Sequence, residues 1–271
     1  MHTNVSLSFG VINDVLFLGI LKPHYMKKLF GTVLLLLLSF GCENEGKLTF
    51  EPLEMQGEAC SGCPKIEIQI PRALDDLAVS EAINRGMEEE VISLLSFDGG
   101  EEIDTAEKAM SSFTDSYKEL KAKFPDEIRW EAKISAKVIH EDENIVSIQL
   151  DSYTYTGGAH GYGATTFLNF DKRKGTELEN WELFEDPEGF QKFAETKFRI
   201  QENIPQDQNI NATGFMFEGD SFHLANNIGY TEDGIQLVYN QYEVASFADG
   251  PIVLTLPYAE VNQYLKRKVK S

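Results

Sequence analysis

One stretch of the sequence combines aromatic side chains with a single histidine. Residues 151–163 contain Tyr153, Tyr155, His160 and Tyr162, interspersed with four glycines. Such side chains commonly line sugar-binding or catalytic clefts. Glycines are also what a sharp bend or bulge between strands requires, and His160 has no serine or cysteine beside it in a known nucleophile motif. The four residues are therefore candidate ligand-binding residues, a structural bend is the alternative, and no catalytic residue is assigned.

Two other kinds of chemistry have weak support. Paired carboxylates such as Glu101 and Glu102 are expected by composition in so acidic a chain, and the run 88–90 falls in a predicted helix, where we expect it to face solvent. Glycoside hydrolysis needs two carboxylates at a set separation, which a sequence cannot provide. The glycines at 157–161 lack the lysine and spacing of a phosphate loop. The sequence predicts no cofactor and no metal.

Two cysteines three positions apart, Cys60 and Cys63, open the region of regular pattern. A thioredoxin-type pair would begin a helix, whereas here Pro64 and then an alternating strand pattern follow. Two cysteines without a second pair or a nearby histidine make a weak metal site. The favoured interpretation is a structural disulfide that clips the start of the fold.

A secretory signal is indicated by Met26-Lys27-Lys28 and the largely apolar run from Leu29 to Phe40. That run of about 12 residues is shorter than the roughly 20 that a membrane-spanning helix needs. Residues 39–42 form a loose lipoprotein box, so we expect cleavage before Cys42 and lipid on its thiol. The alternative is an ordinary signal cut a few residues later. In some bacteria an aspartate after the lipidated cysteine favours retention in the inner membrane, and this chain has Glu43 there. We therefore expect an outer-membrane lipoprotein that faces the periplasm or the cell surface.

Residues 1–25 do not fit this signal, because Asn13 and Asp14 interrupt their apolar stretches. A start codon assigned too far upstream, with Met26 as the true start, explains them. The segment 42–59 is polar and is expected to be a tether between the membrane and the folded part.

The charge of the chain limits its partners. The whole sequence carries a net charge of −20, and removal of residues 1–41 takes away three lysines and one aspartate, which leaves −22. Such a surface repels nucleic acid and anionic lipid headgroups and favours a cationic partner, although acidity most often serves solubility.

The hydrophobic period changes several times along the chain. Helical spacing is found at residues 79–95, 106–124, 185–203 and 258–269, and strand-like alternation at 65–70, 130–138, 146–150, 164–170, 222–230, 235–239 and 252–256. Thr231-Glu232-Asp233-Gly234 is a hairpin signal. Adjacent strands with helices in blocks predict an α+β fold with mainly antiparallel sheets. Two subdomains are expected, at residues 60–156 and 157–271.

Two groups of motifs resemble one known family. They are Thr156-Gly-Gly-Ala-His160 leading to Leu168-Asn-Phe-Asp171, and Phe222, Asp233-Gly234 and Tyr242-Glu-Val-Ala245 leading to Gly250. The family is the RsiV/PdaC-type envelope family, a domain pair of unknown function shared by the sigma-factor inhibitor RsiV and the non-catalytic part of the peptidoglycan deacetylase PdaC. The similarity covers about residues 63–266. It is looser in the first half, and Ser246 stands where the family commonly has proline.

The resemblance implies exposure on the cell envelope, and RsiV uses this region to bind lysozyme. The chain shows no deacetylase domain and no cytoplasmic sigma-binding segment. The hypothesis is a non-enzymatic envelope module that binds peptidoglycan, another glycan or a cationic protein such as lysozyme. The alternative is a cell-wall or glycan hydrolase that uses His160 and the tyrosines.

Overall fold

A computed structural model gives the fold of residues 46–96 and 103–270, which belong to one compact unit, Gly46–Ser271. The predicted upstream segment 1–25, the signal at 26–41, Cys42 and the first part of the tether lie outside the described residues. Within the described ranges, no helix combines the length and the apolar character needed to cross a membrane.

The first half of the unit is built on a six-stranded sheet whose strand order follows the chain. Its strands are β1 (Phe50–Gln56), β2 (Lys65–Ala73), β3 (Glu131–Glu141), β4 (Ile145–Tyr155), β5 (Tyr162–Asp171) and β6 (Thr176–Leu178). Only β2 and β3 pair in parallel, and the other pairs are antiparallel. The parallel pair results from the crossover that carries two helices.

These helices, α1 (Ala78–Leu95) and α2 (Ala106–Lys123), cover one face of the sheet. The α1 residues that recur at four-residue spacing, from Val79 through Ile83 and Met87 to Leu95, are buried. They pack against the alternate residues of β2 that include Ile66 and Ile68. The apolar side chains of α1 lie on one side of the helix, and the apolar side chains of β2 lie on one side of the strand. The two apolar sides face each other and form the first core.

The second half of the unit contains a three-stranded antiparallel sheet and two helices. The elements are α3 (Pro187–Gln201), β7 (Asn227–Tyr230), β8 (Ile235–Tyr239), β9 (Ile252–Leu256) and α4 (Tyr258–Val261). The second core is rich in aromatic rings, and Phe198 contacts the rings of Phe215, Phe217, Phe222 and Tyr239. The predicted hairpin at 231–234 is confirmed, since it joins β7 to β8.

The two sheets are held together by polar groups as well as by apolar contact. Asn169 of β5 is buried, accepts a hydrogen bond from the Ser147 hydroxyl at 2.6 Å and donates to the carbonyl of Ile228 in β7 at 2.7 Å. Asp171 accepts hydrogen bonds from the side chain of Arg267 and from the backbone N–H groups of Arg173 and Lys174. Both residues belong to the Leu168–Asp171 motif, which therefore has a structural role.

The α+β prediction with mainly antiparallel sheets is confirmed. Strands β5 and β6 follow Gly157 yet complete the first sheet. The division of the chain at Gly157 stays a prediction.

Three segments differ from their sequence-based expectation, and one of them is the strand expected at 222–230, which begins only at Asn227. Residues 50–56, inside the expected tether, form the edge strand β1, because Leu53 and Met55 pack on the first core even though Pro52 interrupts the pattern. The expected closing helix at 258–269 ends at Val261. Residues 262–264 form a turn, and Leu265 then makes an isolated antiparallel bridge with Phe184.

Candidate functional site

The face of the first sheet opposite α1 and α2 is open to solvent away from the second half of the unit. We call two rows of residues across β1–β5 the open face. The first row is Gln56, Glu67, Lys133, Tyr153 and Gly163, and the second is Glu54, Gln69, Ser135, Asp151 and Thr165. Facing residues in neighbouring strands project to the same side, so these side chains share one surface.

Polar side chains of the open face are linked to one another. The Asp151 carboxylate accepts hydrogen bonds from the Thr165 hydroxyl at 2.8 Å and from the Gln149 amide at 2.9 Å. Gln69 donates to Glu54 at 3.2 Å. A shallow groove of about 200 Å³ runs between β1, β2 and β3 on this face. The surface therefore presents fixed donors and acceptors of the kind that bind hydroxyl-rich ligands.

Among the residues that the structure describes, Lys65 forms ion pairs at the side of the open face and Lys133 forms none. Lys65 lies 3.0 Å from Glu131 and 3.1 Å from Glu67, and the hydrogen bond to Glu131, more than any other contact, raises its pKa above the ordinary value. Lys133 is exposed between Glu67 and Tyr153, and it forms no ion pair within the described ranges.

Tyr153 is 40 % exposed and lies across from Gly163, so no side chain covers its ring on that side. The tip of the ring packs against Gly161. A methyl group at position 161 would lie about 2.5 Å from the Tyr153 hydroxyl oxygen, so the ring position depends on a glycine there.

Four residues form what we call the aromatic cluster, beside the edge of β5: His160, Tyr162, Tyr242 and Phe247. The His160 ring stacks on Phe247, with centroids 3.7 Å apart and planes 19° apart. The Tyr242 hydroxyl lies 3.5 Å from His160 Nε2, and its ring centroid is 5.7 Å from that of Phe247. Tyr242 is 57 % exposed and Tyr162 is 40 % exposed. The cluster therefore offers ring surface to solvent.

The segment 240–249 is fixed to the sheet by polar contacts. The Asn240 side chain accepts a hydrogen bond from the Thr165 N–H and donates to the Thr165 carbonyl, as a neighbouring strand would. The Glu243 carboxylate accepts from the backbone N–H groups of Asn226 and Asn240, both at 2.9 Å. Glu243 belongs to the Tyr242–Ala245 motif, and it holds the loop that presents Tyr242.

The backbone of Tyr242 has φ +69°, in the left-handed region. A bulky residue rarely adopts this conformation, and such strain persists only where the surroundings enforce it. The contacts of Asn240 and Glu243 supply that constraint, and the result is an outward-facing tyrosine ring next to His160.

The structure brings together only some of the four residues that were predicted to bind a ligand. His160 and Tyr162 lie in the aromatic cluster, and Tyr153 adjoins it through Gly161. Tyr155 donates its hydroxyl proton to the Gly158 carbonyl at 3.1 Å and so holds the 156–161 loop. Strand alternation puts Tyr162 on the opposite face of the sheet from Tyr153. The Tyr162 hydroxyl donates a hydrogen bond to the Gln241 carbonyl at 3.4 Å.

Neighbouring groups hold the polar atoms of His160 and Tyr162. The hydrogen bonds of His160 within the described chain go to its neighbouring Gly161 carbonyl and to the Tyr242 hydroxyl. Burial, with a smaller contribution from the Glu243 charge, raises the pKa of Tyr162 above its usual value. The phenol therefore stays neutral at physiological pH.

Sequence reasoning missed three contributors: Tyr242, Phe247 and Lys133. Tyr242 stood in a motif quoted for the family resemblance, but its proximity to His160 depends on a contact across 82 residues. Nothing in the sequence around Phe247 or Lys133 indicated a site.

The predicted disulfide is present between Cys60 and Cys63, whose Cα atoms lie 5.2 Å apart. Cys63 is buried and leads into β2, where its carbonyl accepts a hydrogen bond from Arg129 at 2.9 Å. The bridge therefore closes the turn between β1 and β2.

Two family matches cover most of the folded region. Residues 59–162 match the family described as Deacetylase PdaC, and residues 173–259 match the family described as Protein of unknown function (DUF3298). None of the curated proteins matches the chain.

Solved structures with a similar fold include two from the DUF3298 family. One, from Bacteroides fragilis, is 20% identical with a TM-score of 0.63, and the match covers 83% of this chain and 96% of that one. The other, from Pseudomonas aeruginosa, is 22% identical with a TM-score of 0.57, and the match covers 83% and 97%. At these identities the similarity concerns the fold.

Proposed function

From the premise that the chain joins a segment matching Deacetylase PdaC to one matching DUF3298, we propose that it is a non-enzymatic module that binds cell-wall glycan. The single observation that carries the proposal is the aromatic cluster, with His160 stacked on Phe247 and the exposed ring of Tyr242 beside them. Exposed rings bind the apolar faces of sugars, and neighbouring polar groups bind their hydroxyls.

The setting of the cluster supports a binding role. Its loop is held rigidly by Asn240 and Glu243, so the rings are pre-organised and lose little conformational entropy when a ligand binds. The open face next to Tyr153 supplies further polar groups, including the Asp151 carboxylate. Together they form a surface suited to an extended chain of sugars rather than a closed pocket for one small molecule.

The net charge of −20 favours a second candidate ligand, a cationic protein such as lysozyme. The two candidates respond differently to salt, because charge attraction is screened and stacking is not. The full-length protein, solubilised in detergent, should sediment with insoluble peptidoglycan at both low and high salt. Retention on immobilised lysozyme that is lost in high salt, without binding to peptidoglycan, would favour the cationic protein. Retention on neither would contradict both.

We also propose that the module is a lipoprotein attached through Cys42, facing the periplasm or the cell surface. The basic and apolar signal before Cys42 supports this address. Labelling with a radioactive fatty acid should mark the wild-type protein, and the Cys42→Ala variant should lose the label. Equal labelling of both proteins would overturn the assignment.

A further inference from the structure

We infer that the glycan carries carboxylate groups, and that Lys133, beside Tyr153 on the open face, is the residue that selects for them. This inference rests on the proposed glycan-binding function and specifies the chemical class of the ligand. The position of Lys133 in the sheet, its missing ion-pair partner and the groove beside it carry the argument.

The pairing of β3 with β4 puts Lys133 next to Tyr153. Lys133 of β3 lies directly across from Tyr153 of β4, which in turn lies across from Gly163 of β5. Cβ atoms of facing residues in such pairs are about 5 Å apart. A sugar stacked on Tyr153 therefore has an ammonium group within reach and no side chain above position 163.

The ion pairs of the neighbouring strand make Lys133 available. Its neighbour in β2, Glu67, is bound by Lys65 at 3.1 Å. Lys133 is exposed and has no ion pair within residues 46–96 and 103–270. Lys133 therefore presents a positive charge next to the exposed ring of Tyr153.

The surroundings of Lys133 suit the rest of an anionic glycan. The shallow groove next to it contains two carboxylates, and both are already bound, Glu67 by Lys65 at 3.1 Å and Glu54 by the Gln69 amide at 3.2 Å. Ser135 in the same groove offers a hydroxyl for hydrogen bonds to the ligand. A second exposed lysine, Lys137, lies four residues along β3, roughly 14 Å away at strand spacing. The strand therefore presents two lysine side chains on one surface.

The test compares three tetrasaccharides of equal length. The first is a neutral N-acetylglucosamine chain, the second is a peptide-free peptidoglycan fragment with lactyl carboxylates on alternate sugars, and the third is its methyl ester. The wild-type protein should bind the carboxylate form most tightly. Lys133→Gln should weaken binding of that form by about fivefold, as expected for one exposed ion pair, and leave the other two unchanged. Lys192→Gln, which removes an exposed lysine of α3, should change none of them.

The outcomes separate this inference from the proposed function. If the wild type binds all three sugars equally, or if Lys133→Gln binds the carboxylate form as tightly as the wild type, the selectivity is overturned while glycan binding stands. If the wild type binds none of the three, both proposals fail.

Discussion

The side-chain amide of Asn240 pairs with both backbone groups of Thr165, at 2.9 Å to the N–H and 3.0 Å to the carbonyl. These groups lie on the outer edge of β5, beyond the end of the short strand β6. A single side chain thus continues the sheet and brings the segment that carries Tyr242 and Phe247 against it. The aromatic cluster depends on this contact.

Replacement of Asn240 should therefore affect stability and binding together. Asn240→Ala leaves the Thr165 N–H and carbonyl without their partner, and we expect the free energy of unfolding to fall by about 1–2 kcal/mol. Glycan affinity should also fall, because Tyr242 loses the constraint on its backbone. Urea denaturation and sedimentation with peptidoglycan measure the two effects. Gln206→Ala, at an exposed position away from the cluster, is the control; an Asn240→Ala protein indistinguishable from it would contradict this role.

Glu177 of β6 should make stability depend on pH. Burial of its carboxyl against α1, followed by the charges of Glu90 and Glu89, raises its pKa from 4.5 to about 7. A raised folded-state pKa means that the stability is complete below pH 4.5 and declines as the pH rises through about 7. Since the Glu177 carboxyl is only partly buried and solvent screens the repulsion, we expect a loss of about 1 kcal/mol between pH 4.5 and 8.

The Glu177→Gln variant should lack this decline and be more stable than the wild type at pH 8. Unfolding midpoints in urea across the pH range measure it. Glu232→Gln, in the β7–β8 turn, should keep the wild-type slope. Parallel curves for wild type and Glu177→Gln would show that this carboxyl does not cause the dependence.

Reduction of the Cys60–Cys63 bridge should lower the free energy of unfolding without unfolding the protein. The closed loop has only four residues, so the chain-entropy model gives about 2 kcal/mol. Urea unfolding with and without reductant should show a lower midpoint and an unchanged dependence on urea concentration. A Cys60→Ser/Cys63→Ser variant should not respond to reductant at all. Complete unfolding of the reduced protein would contradict the interpretation as a local clip.

Gly161→Ala tests the link between the loop and Tyr153. The new methyl group forces the Tyr153 ring to move, because it would lie about 2.5 Å from the ring tip. We expect weaker glycan binding, with a stability change below about 1 kcal/mol because the ring end is free to shift. Gly62→Ala is the matched control, since its methyl group meets nothing within 4 Å. Equal glycan affinity of the two variants would separate Tyr153 from the site.

The spacing of apolar residues in the sequence predicted those helices and strands whose buried residues recur at a regular interval. The four-residue spacing from Val79 to Leu95 and the alternation of Ile66, Ile68 and Ile70 both appear as buried faces. Strand β1 was missed because Pro52 interrupts its pattern and only a few of its side chains are partly buried. The helix expected after Val261 was wrong because pairing with Phe184 competes with helix formation.

The candidate site was predictable only where it is local. His160 and Tyr162 stood in one conspicuous stretch, but their partners Tyr242 and Phe247 are supplied by a loop about 80 residues later. The surroundings of Lys133 depend on the register of β2 and β3, which puts Glu67 across from Lys133 and Glu131 across from Lys65. Neither relationship can be read from spacing in a single sequence.

The central claim is that the aromatic cluster binds cell-wall glycan, and the most direct test removes its exposed ring. The dissociation constant of full-length protein for soluble peptidoglycan fragments should rise about tenfold in Tyr242→Ala, as expected for an interface residue that contributes more than 1 kcal/mol. Phe124→Ala removes a ring of similar exposure (59 %) at the end of α2 and should bind like the wild type. Wild-type affinity in Tyr242→Ala, with its fold confirmed by circular dichroism, would contradict the claim.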